Sequence, residues 1–478
     1  MSKRADIAIE LDADHSQPIF LALAASILRE IERGRLKPGD GLPGTRALAR
    51  TLKLHRNTVD AAFHELTMQG WLVTEPSRGT FVAHDLPDIA PARSTPRTEP
   101  TKPAVADARI TLRVSDGAPD PRLMPGAIVA RAFRRALSTP AFLSAANYGD
   151  PRGAPALRSN LADYLVTERG LTVSADDILV TRGSQMGLFL AASAVIGPGE
   201  VIAVEEPGYP LAWSAFRAAG ARVVGVPVDA QGIDVAQLAA LADREPAVKA
   251  VYVTPHHHYP TTVTLGAGRR LKLLDIARQH GLAIIEDDYD HEYRFDGRPI
   301  LPLAARAEPG LPVIHIGSLS KLLSPAMRQG YAVARPDILA GMAERREAID
   351  RQGDLPLEQA LADLIGDGEL RRHSRKTRRI YEARRNLLAS ELTRQLGDDI
   401  AFDLPAGGLA IWLRLRPGLS SEIWSANAAA LGLAITPGMR FALDRANGPE
   451  GFRIGYASLD DDELRRLVTL LAQSRPRA

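Results

Sequence analysis

Short apolar runs alternate with amphipathic stretches through the middle of the chain, and this alternation restricts the fold more than any other feature. Helical periodicity occupies 184–195 and 269–280, and strand-like runs occupy 178–181, 201–205, 221–228, 248–254, 282–287 and 313–316. Several runs are continuously apolar, as parallel strands are when helices cover both faces of their sheet. The alternation therefore predicts an α/β sheet whose ligands bind where the strands end.

Polar and aromatic residues follow three of these predicted strands. Ser184 and Gln185 stand at a helix start after the first run, where a hydroxyl and backbone amides suit a phosphate. Tyr209 follows the second run, where its ring can stack on a pyridine ring. Asp287 ends a third, apolar run, and a buried carboxylate there needs a cationic partner such as a protonated pyridine nitrogen. Taken singly, each residue also suits ordinary capping or packing.

One lysine, Lys321, stands in an irregular loop directly after the run 313–316. The pattern Ser-x-Ser-Lys-x-x-x-Pro-x-x-Arg-x-Gly covers 318–330 and places Arg328 seven residues beyond the lysine. A lysine amine at a strand end can form a Schiff base with an aldehyde such as pyridoxal phosphate, and a guanidinium binds phosphate bidentately. An ordinary surface lysine is the alternative interpretation, and the spacing to Arg328 argues against it.

The first 84 residues have a different organisation. Helical spacing of apolar residues predicts helices in 19–34, 45–52 and 57–70, and alternation predicts a hairpin in 71–82. Two short helices joined by a tight turn present the second of them to the DNA major groove. Eight Lys or Arg against four acids between residues 33 and 80 favour contact with phosphates. A helical domain used only for packing is the alternative.

This module resembles the winged helix-turn-helix of GntR-type regulators. The resemblance is carried by Leu-Pro-Gly-Thr-Arg-x-Leu-Ala at 42–49, Arg-Asn-Thr-Val at 56–59 and Gly-Thr-Phe-Val at 79–82. Gly44 replaces the usual capping Ser, a change worth about a few tenths of a kcal/mol. The resemblance implies contacts to double-stranded operator DNA from the following residues: Arg46, Arg56, Asn57, Thr58, Ser77, Arg78 and Gly79.

A proline-rich segment separates this module from the rest of the chain. Prolines recur every three to five positions between residues 85 and 108, among Ala, Ser, Thr, Arg and Asp. Such a composition predicts an extended, semi-rigid linker. A chain of 478 residues is also too long for one compact core. We therefore expect a DNA-binding domain in 1–84, a linker in 85–108 and a large domain in 109–478.

The large domain resembles the fold-type I pyridoxal-phosphate-dependent aminotransferases from about residue 115 to 460. Besides the lysine segment, Asn-Tyr-Gly-Asp-Pro-x-Gly at 147–153 and Gly-Phe-Arg-Ile-Gly-Tyr at 451–456 carry the resemblance. It implies an internal aldimine at Lys321, which would be the catalytic residue. The other implied roles are ring contacts for Asp287, Tyr289 and Tyr209, phosphate contacts for Ser184, Gln185, Ser318, Arg328 and, from the neighbouring subunit, Tyr148, and effector carboxylate binding for Arg453.

One departure from the aminotransferase pattern weakens an enzymatic interpretation. Where those enzymes commonly have Asn-Pro-x-Gly, 259–262 reads Tyr-Pro-Thr-Thr, so the asparagine that would bond the cofactor's phenolic oxygen is absent. Three histidines, 256–258, precede it. Extended geometry points alternate side chains apart, and no nearby carboxylate completes a ligand set, so we expect no metal. We expect His257 to line the pocket instead.

The most basic stretch of the chain is 371–379, which contains six Lys or Arg among nine residues. On a helix these charges spread around most of the circumference instead of forming one stripe. Two interpretations remain open for it. It is either a solvated helix that leads into the C-terminal part of the domain, or a helix that also contacts DNA.

Composition bears on location and on excluded chemistries. The chain has no cysteine, which excludes disulfides, thiolate metal sites and cysteine nucleophiles and agrees with a cytoplasmic protein. The first apolar run, 19–28, is short and leads into charged residues, so we expect neither a signal peptide nor a membrane span. The net charge of +2 gives no global attraction to nucleic acid, so DNA binding must come from local clustering.

The DNA-binding module, the linker and the aminotransferase-like domain together resemble the MocR family of bacterial transcriptional regulators. The resemblance implies a head-to-tail homodimer that reads operator DNA and senses an amino compound, or pyridoxal phosphate itself, through Lys321. On this interpretation the protein is not a turnover enzyme, although an aminotransferase-like half-reaction could survive. Two alternatives remain open. The first is a working aminotransferase with an accessory DNA-binding module. The second is a large domain that has lost cofactor binding and serves only to dimerise the DNA-binding module.

Overall fold

The structure is a computed structural model that describes residues 18–76, 78–86, 110–144, 147–297 and 300–476. It divides into two compact units, one within Met1–Ala104 and the other within Val105–Ala478. Residues 87–108 of the predicted linker lie outside the described residues. The exact boundaries at 84 and 108 therefore stay predictions.

The N-terminal unit packs three helices and a hairpin around one core. Its helices are α1 (Ile19–Glu32), α2 (Thr45–Leu52) and α3 (Arg56–Met68), and its antiparallel strands are β1 (Leu72–Glu75) and β2 (Gly79–Val82). Leu23 and Ile27 of α1 are fully buried with Val59 of α3, each burial stabilising the fold by roughly 1.5–3 kcal/mol. The ring of His55 accepts a hydrogen bond from the Asn57 amide at 3.3 Å and so starts α3. The predicted winged helix-turn-helix is confirmed.

The large unit is built on an eight-stranded sheet. Along the sheet the strands follow the order β4, β11, β10, β9, β8, β5, β6, β7. Their bounds are β4 Ile178–Thr181, β5 Val201–Glu206, β6 Arg222–Asp229, β7 Gly232–Ile233, β8 Val248–Val253, β9 Ala283–Asp288, β10 Val313–Ser318 and β11 Gly330–Val333. All six strands that the sequence predicted run parallel to one another, and only the short β7 and β11, which it did not predict, run antiparallel.

Helices cover both faces of this sheet and extend from it. In chain order they are α4 Gly126–Leu137, α5 Pro140–Leu143, α6 Pro155–Arg169, α7 Gly183–Val195, α8 Pro210–Ala218, α9 Val235–Arg244, α10 Ala267–His280, α11 Pro336–Asp350, α12 Leu355–Gly366, α13 Glu369–Leu396, α14 Ser421–Ala430 and α15 Asp461–Gln473. The sheet strands are buried along almost their whole length, which explains their continuously apolar sequences. The predicted α/β class, with the fold-type I aminotransferase architecture, is confirmed.

Smaller strands complete the C-terminal part of the unit. Strands β12 (Ile400–Ala401), β13 (Ala410–Leu415) and β15 (Gly451–Gly455) form an antiparallel sheet, and β14 (Leu433–Ala434) pairs in parallel with β3 (Leu112–Arg113). Strand β15 carries the Arg453 side chain, which is 3% exposed. Among the helices in the described parts of the chain, none has the length and apolar character needed to cross a membrane.

Candidate functional site

A cavity of about 210 Å³ lies where the parallel strands of the large sheet end. Because these strands point the same way, the residues that follow β4, β5, β9 and β10 meet at one edge of the sheet. The predicted site residues that line the cavity are Ser184, Tyr209, Asp287, Tyr289, Lys321 and Arg453. The structure thus brings together six residues that the sequence spreads over 270 positions.

Lys321 directs its amine into this cavity. The Nζ atom donates a hydrogen bond to the Gly117 carbonyl oxygen at 2.8 Å. Burial lowers the pKa of Lys321, while the nearby carboxylates of Asp116, Asp290 and Asp287 act in the opposite direction. A lowered pKa increases the fraction of neutral amine, which is the form that attacks a carbonyl carbon.

Asp287, near the end of β9, has one satisfied and one unsatisfied carboxylate oxygen. Its Oδ2 accepts a hydrogen bond from the Tyr252 hydroxyl at 3.0 Å, whereas its Oδ1 is buried without a hydrogen-bond partner. Burial raises the pKa of Asp287 to about 7. A buried oxygen without a donor costs about 1–3 kcal/mol, so this atom is suited to a ligand N–H group. A protonated pyridine nitrogen supplies such a group.

Two of the predicted phosphate ligands, Ser184 and Arg328, lie close to the start of α7. Ser184 is in the first turn of this helix, whose N-terminal amides and dipole favour an anion. The Arg328 guanidinium lies next to Gly183, since a Cβ built on that glycine would come within 3.4 Å of it. Gly183 has φ +74°, which few other residues tolerate. Ser184 and Arg328 are therefore both adjacent to Gly183, and of the two only Ser184 lines the cavity around Lys321.

Two further predicted phosphate ligands, Gln185 and Ser318, have less support from the structure. Gln185 donates a hydrogen bond from Nε2 to the Leu211 carbonyl oxygen at 2.6 Å, which occupies its amide. Ser318 is buried as the last residue of β10. Neither residue is among those that line the cavity around Lys321. Their proposed phosphate contacts stay predictions.

Arg453 is held firmly at the opposite side of the cavity. Its Nε donates to the Asp116 carbonyl oxygen and its Nη1 to the Pro260 carbonyl oxygen, each at 2.7 Å. Its guanidinium carbon lies 4.5 Å from the centre of the Tyr259 ring, within cation–π range. The Nη2 atom makes a longer contact, 3.3 Å, with the Tyr289 hydroxyl oxygen. Of the three nitrogens, Nη2 has the weakest contact.

The cavity also contains groups that sequence reasoning missed. Asp116 lies before β4 in the chain, and its carboxylate accepts a hydrogen bond from the Tyr259 hydroxyl. Tyr252 and Thr254 come from the end of β8. Thr254 and Tyr252 are two residues apart in an extended segment, so their side chains share one face of the sheet. That alternation was available in the sequence, whereas nothing near Asp116 marked it as a site residue.

Tyr148, predicted to serve a neighbouring subunit, lies away from this chain's own cavity. Its side chain is exposed, and the Arg351 guanidinium lies 4.9 Å from the centre of its ring. The adjacent Gly149 amide donates a hydrogen bond to the Gln352 side chain. An exposed tyrosine at the surface is available to a second molecule.

The predicted placement of His257 in the pocket is wrong. The His257 ring is buried, and its Nδ1 lies 2.7 Å from Asp290 Oδ1. The neighbouring His258 is also buried, with its Nδ1 at 2.6 Å from Thr261 Oγ1. The backbone bends here, and the His257 ring lies beside Gly407 and Gly408 and is not among the residues that line the cavity. The His257 carbonyl oxygen accepts a hydrogen bond from the Tyr289 hydroxyl at 2.8 Å. No cluster with the make-up of a metal site occurs among the described residues.

In the N-terminal unit the predicted DNA-contacting residues are mostly exposed. Arg56 and Asn57 start α3, with Arg56 Nε at 3.4 Å from Asp60 Oδ2, and Thr58 beside them is half-buried. Arg46 is exposed on α2. In the hairpin, Gly79 and Arg78 are exposed, and Arg78 forms an ion pair with Glu75. Ser77 lies outside the described residues.

The sequence matches two protein families. Residues 119–471 match the family described as aminotransferase class I and II, and residues 21–82 match the bacterial regulatory proteins of the gntR family. The first match covers most of the large unit and the second covers most of the N-terminal unit. The two families therefore correspond to the two structural units.

Relatives that are named as regulators match more of this chain than a relative that is named as an enzyme. The protein named "Probable rhizopine catabolism regulatory protein MocR" from Rhizobium meliloti is 29% identical, covering 96% of this chain and 94% of that protein. The HTH-type pyridoxine biosynthesis transcriptional regulator PdxR from Corynebacterium glutamicum is 30% identical, covering 98% and 99%. The crystal structure of a multiple substrate aminotransferase from Thermococcus profundus is 26% identical with a TM-score of 0.71, covering 76% of this chain and 91% of that one. The two regulators match nearly the whole chain, whereas this enzyme matches three quarters of it.

Proposed function

The chain belongs to the MocR family, in which a GntR-type module is joined to an aminotransferase class I and II domain. From this premise we propose that it is a transcriptional regulator that binds operator DNA and holds pyridoxal phosphate at Lys321. The observation that carries the proposal is the cavity in which the Lys321 amine, the unpaired Asp287 Oδ1 and Ser184 at the start of α7 meet.

Pyridoxal phosphate, when bound, supplies an aldehyde carbon and a ring that withdraws electrons while its nitrogen is protonated. Lys321, whose pKa is lowered by burial, would present a neutral amine to that carbon. Asp287 Oδ1 would accept a hydrogen bond from a protonated ring nitrogen and balance its charge. Ser184 and Arg328 would orient the phosphate, and Tyr209 would contact the ring.

The sensed compound is an amine or the cofactor itself. Arg453 is the one cation other than Lys321 among the lining residues, and its Nη2 can turn toward a carboxylate if the contact with Tyr289 is given up. The relative PdxR is named for pyridoxine biosynthesis and MocR for rhizopine catabolism, so the two choices have parallels among relatives. Either compound shifts the protein only by binding its two conformations with different affinity.

A homodimer in the cytoplasm is the assembly that the proposal requires. Tyr148 is exposed in the single chain, and a head-to-tail partner is the molecule to which it would offer its hydroxyl. Two N-terminal modules would then read two half-sites of one operator. The proposed DNA contacts are those of Arg46, Arg56, Asn57, Thr58, Ser77, Arg78 and Gly79.

A working aminotransferase is the second candidate, because Lys321 and Asp287 occupy one cavity as such an enzyme needs. Against it, the position where an asparagine amide would bond the cofactor's phenolic oxygen carries Tyr259, and its hydroxyl is directed to Asp116. Sustained production of a keto acid over many turnovers, from any amino donor, would favour this candidate. A single conversion of the amino donor, with no further product, would not favour it.

Visible absorbance tests the cofactor part of the proposal. Wild-type protein saturated with pyridoxal phosphate and freed of excess should retain the absorbance band of the bound cofactor, and Lys321→Ala should lose it. Arg56→Ala, altered only in the N-terminal unit, should keep the band and serves as the control. Absence of the band in the saturated wild type would contradict cofactor binding. The remaining interpretation would then be a large domain that only dimerises the DNA-binding module.

A further inference from the structure

A second cavity, here named the arginine cavity, lies in the large unit between α6, α13 and the segment 291–297. It has a volume of about 420 Å³ and shares no lining residue with the cavity around Lys321. Of the residues that the structure describes, six arginines and two glutamates line it. The basic run 371–379, which the proposed function does not use, forms one wall, because Arg371, Arg375, Arg378 and Arg379 belong to the lining.

Each of the two glutamates that line the arginine cavity has one carboxylate oxygen with a partner in the protein, whereas the second oxygen of Glu292 is buried without one. Glu168 Oε1 lies 2.7 Å from the Arg371 Nε. Glu292 Oε1 lies 3.0 Å from the His291 ring and accepts a hydrogen bond from the Tyr164 hydroxyl at 3.1 Å. A sixth arginine, Arg169, pairs with Asp288 behind the wall. Positive charge is therefore left over.

Four arginines make up this surplus: Arg294, Arg375, Arg378 and Arg379. Within the described parts of the chain, none of their guanidinium groups has an ion-pair partner within 4.0 Å. Arg375, Arg378 and Arg379 are exposed at the rim, where water solvates them. Arg294 differs, because its Nε and Nη1 atoms are shielded from solvent and have no hydrogen-bond partner.

The two shielded nitrogens of this half-buried guanidinium are costly unless an acceptor meets them. A buried donor without a partner costs about 1–3 kcal/mol, and more when it belongs to a charged group. The unpaired Nε and Nη1 are adjacent donors on one planar group, which is the fork that binds phosphate or carboxylate oxygens bidentately. Arg294 therefore requires an acceptor that the described residues do not supply.

We propose that the arginine cavity binds a small polyanion that carries phosphate or carboxylate groups. Its volume lies within the range of small-molecule sites, about 300–1,000 Å³. Arg294 binds one anionic group inside the cavity, and Arg375, Arg378 and Arg379 meet a second at the rim. A DNA duplex suits the rim alone, because its backbone phosphates cannot reach the shielded Arg294 nitrogens.

Calorimetric titration tests the proposal on the full-length protein, saturated with pyridoxal phosphate and freed of excess. The probes are pyrophosphate, for a phosphate ligand, and citrate, for a carboxylate ligand. We expect one saturable site per chain for at least one probe, with no change in the absorbance of the bound cofactor. Arg294→Gln should weaken binding by about tenfold or more, since a hydrogen bond to a charged group contributes about 1.5–3 kcal/mol.

Lys376→Ala is the matched control. Lys376 is exposed within the same basic run but does not line the cavity, so its loss removes the same charge and should leave the affinity within about twofold. Arg378→Ala, at the exposed rim, supplies a second test if Arg294→Gln folds poorly. No saturable binding of either probe, or equal losses in Arg378→Ala and Lys376→Ala, would overturn the proposal. Competition between operator DNA and pyrophosphate for the same site would also overturn the proposal. It would indicate that these arginines bind DNA.

Discussion

The hydroxyl of Tyr252 donates a hydrogen bond to Asp287 Oδ2 at 3.0 Å and leaves Oδ1 of the same carboxylate buried without a partner. One oxygen is thus fixed by the protein, and the other faces the cavity that Lys321 shares. A carboxylate held in this way is oriented before a ligand arrives. The ordering cost of binding is correspondingly reduced.

Removing the fixed hydrogen bond should weaken cofactor binding. For Tyr252→Phe we expect the affinity for pyridoxal phosphate to fall about tenfold, or about 1.4 kcal/mol, because Asp287 loses its orienting donor. Tyr381→Phe is the control, since its buried hydroxyl accepts a hydrogen bond from the Asp120 amide outside the cavity. Absorbance titration measures both, and equal affinities in the two variants would refute an orienting role.

The buried Asp287 should make the stability of the cofactor-free protein depend on pH. Burial raises the pKa of Asp287 to about 7 from an ordinary 3.8. The neutral carboxyl therefore contributes stability that is fully present below pH 3.8 and is lost progressively as the pH rises from there to about 7. Asp287→Asn stays neutral throughout.

We expect urea denaturation to show the stability of the wild type falling relative to Asp287→Asn between about pH 4 and about pH 7. Above about pH 7 the difference should level off, after a total fall of more than about 1 kcal/mol. Burial and, to a smaller extent, the Asp287 charge raise the pKa of Glu205 to about 8; because Glu205 is present in both proteins, the burial contribution cancels in the difference. A difference that does not change with pH would contradict the raised pKa.

Arg328 should discriminate between phosphorylated and unphosphorylated cofactor. Arg328→Gln removes a guanidinium that lies beside Gly183 at the start of α7. We expect the affinity for pyridoxal phosphate to fall about 10- to 100-fold, because a charge-assisted hydrogen bond is lost. The affinity for pyridoxal, which lacks the phosphate, should change little. Parallel losses for both compounds would show that Arg328 acts on the fold instead.

Arg56 should contribute to DNA affinity. It is 52% exposed at the first position of α3, and its pairing with Asp60 at 3.4 Å is loose. In Arg56→Ala, operator binding should weaken about tenfold, with a salt dependence reduced by about one counterion if the contact is to phosphate. Arg33→Ala removes an equally exposed charge from the end of α1 and should have a smaller effect. Gel-shift titrations at several salt concentrations measure both.

Strand-end residues could be predicted because continuous apolar runs marked the strands so clearly. Asp287 and Ser184 follow directly from such runs, and the structure places both in the cavity. The short β11 escaped prediction because its four residues follow an irregular loop and carry no periodicity. The position of β11 between β4 and β10 could therefore not be predicted from the sequence.

Residues that enter the site from distant segments were harder to predict. Asp116 reaches Tyr259 across 143 positions, and no local pattern connects them. His257 was misplaced because an extended segment was assumed where the backbone turns. Arg294 escaped notice altogether, since an arginine becomes informative only when its buried nitrogens are seen to lack partners.

Operator affinity, measured with and without pyridoxal phosphate for wild type and Lys321→Ala, tests most directly whether Lys321 serves a regulatory signal. The account predicts that the cofactor changes the wild-type affinity by about fivefold or more, a typical coupling between two sites, and leaves Lys321→Ala unchanged. Equal changes of operator affinity in the two proteins would contradict the account. So would a wild-type operator affinity that does not change with the cofactor, whether the cofactor is added alone or together with an amine.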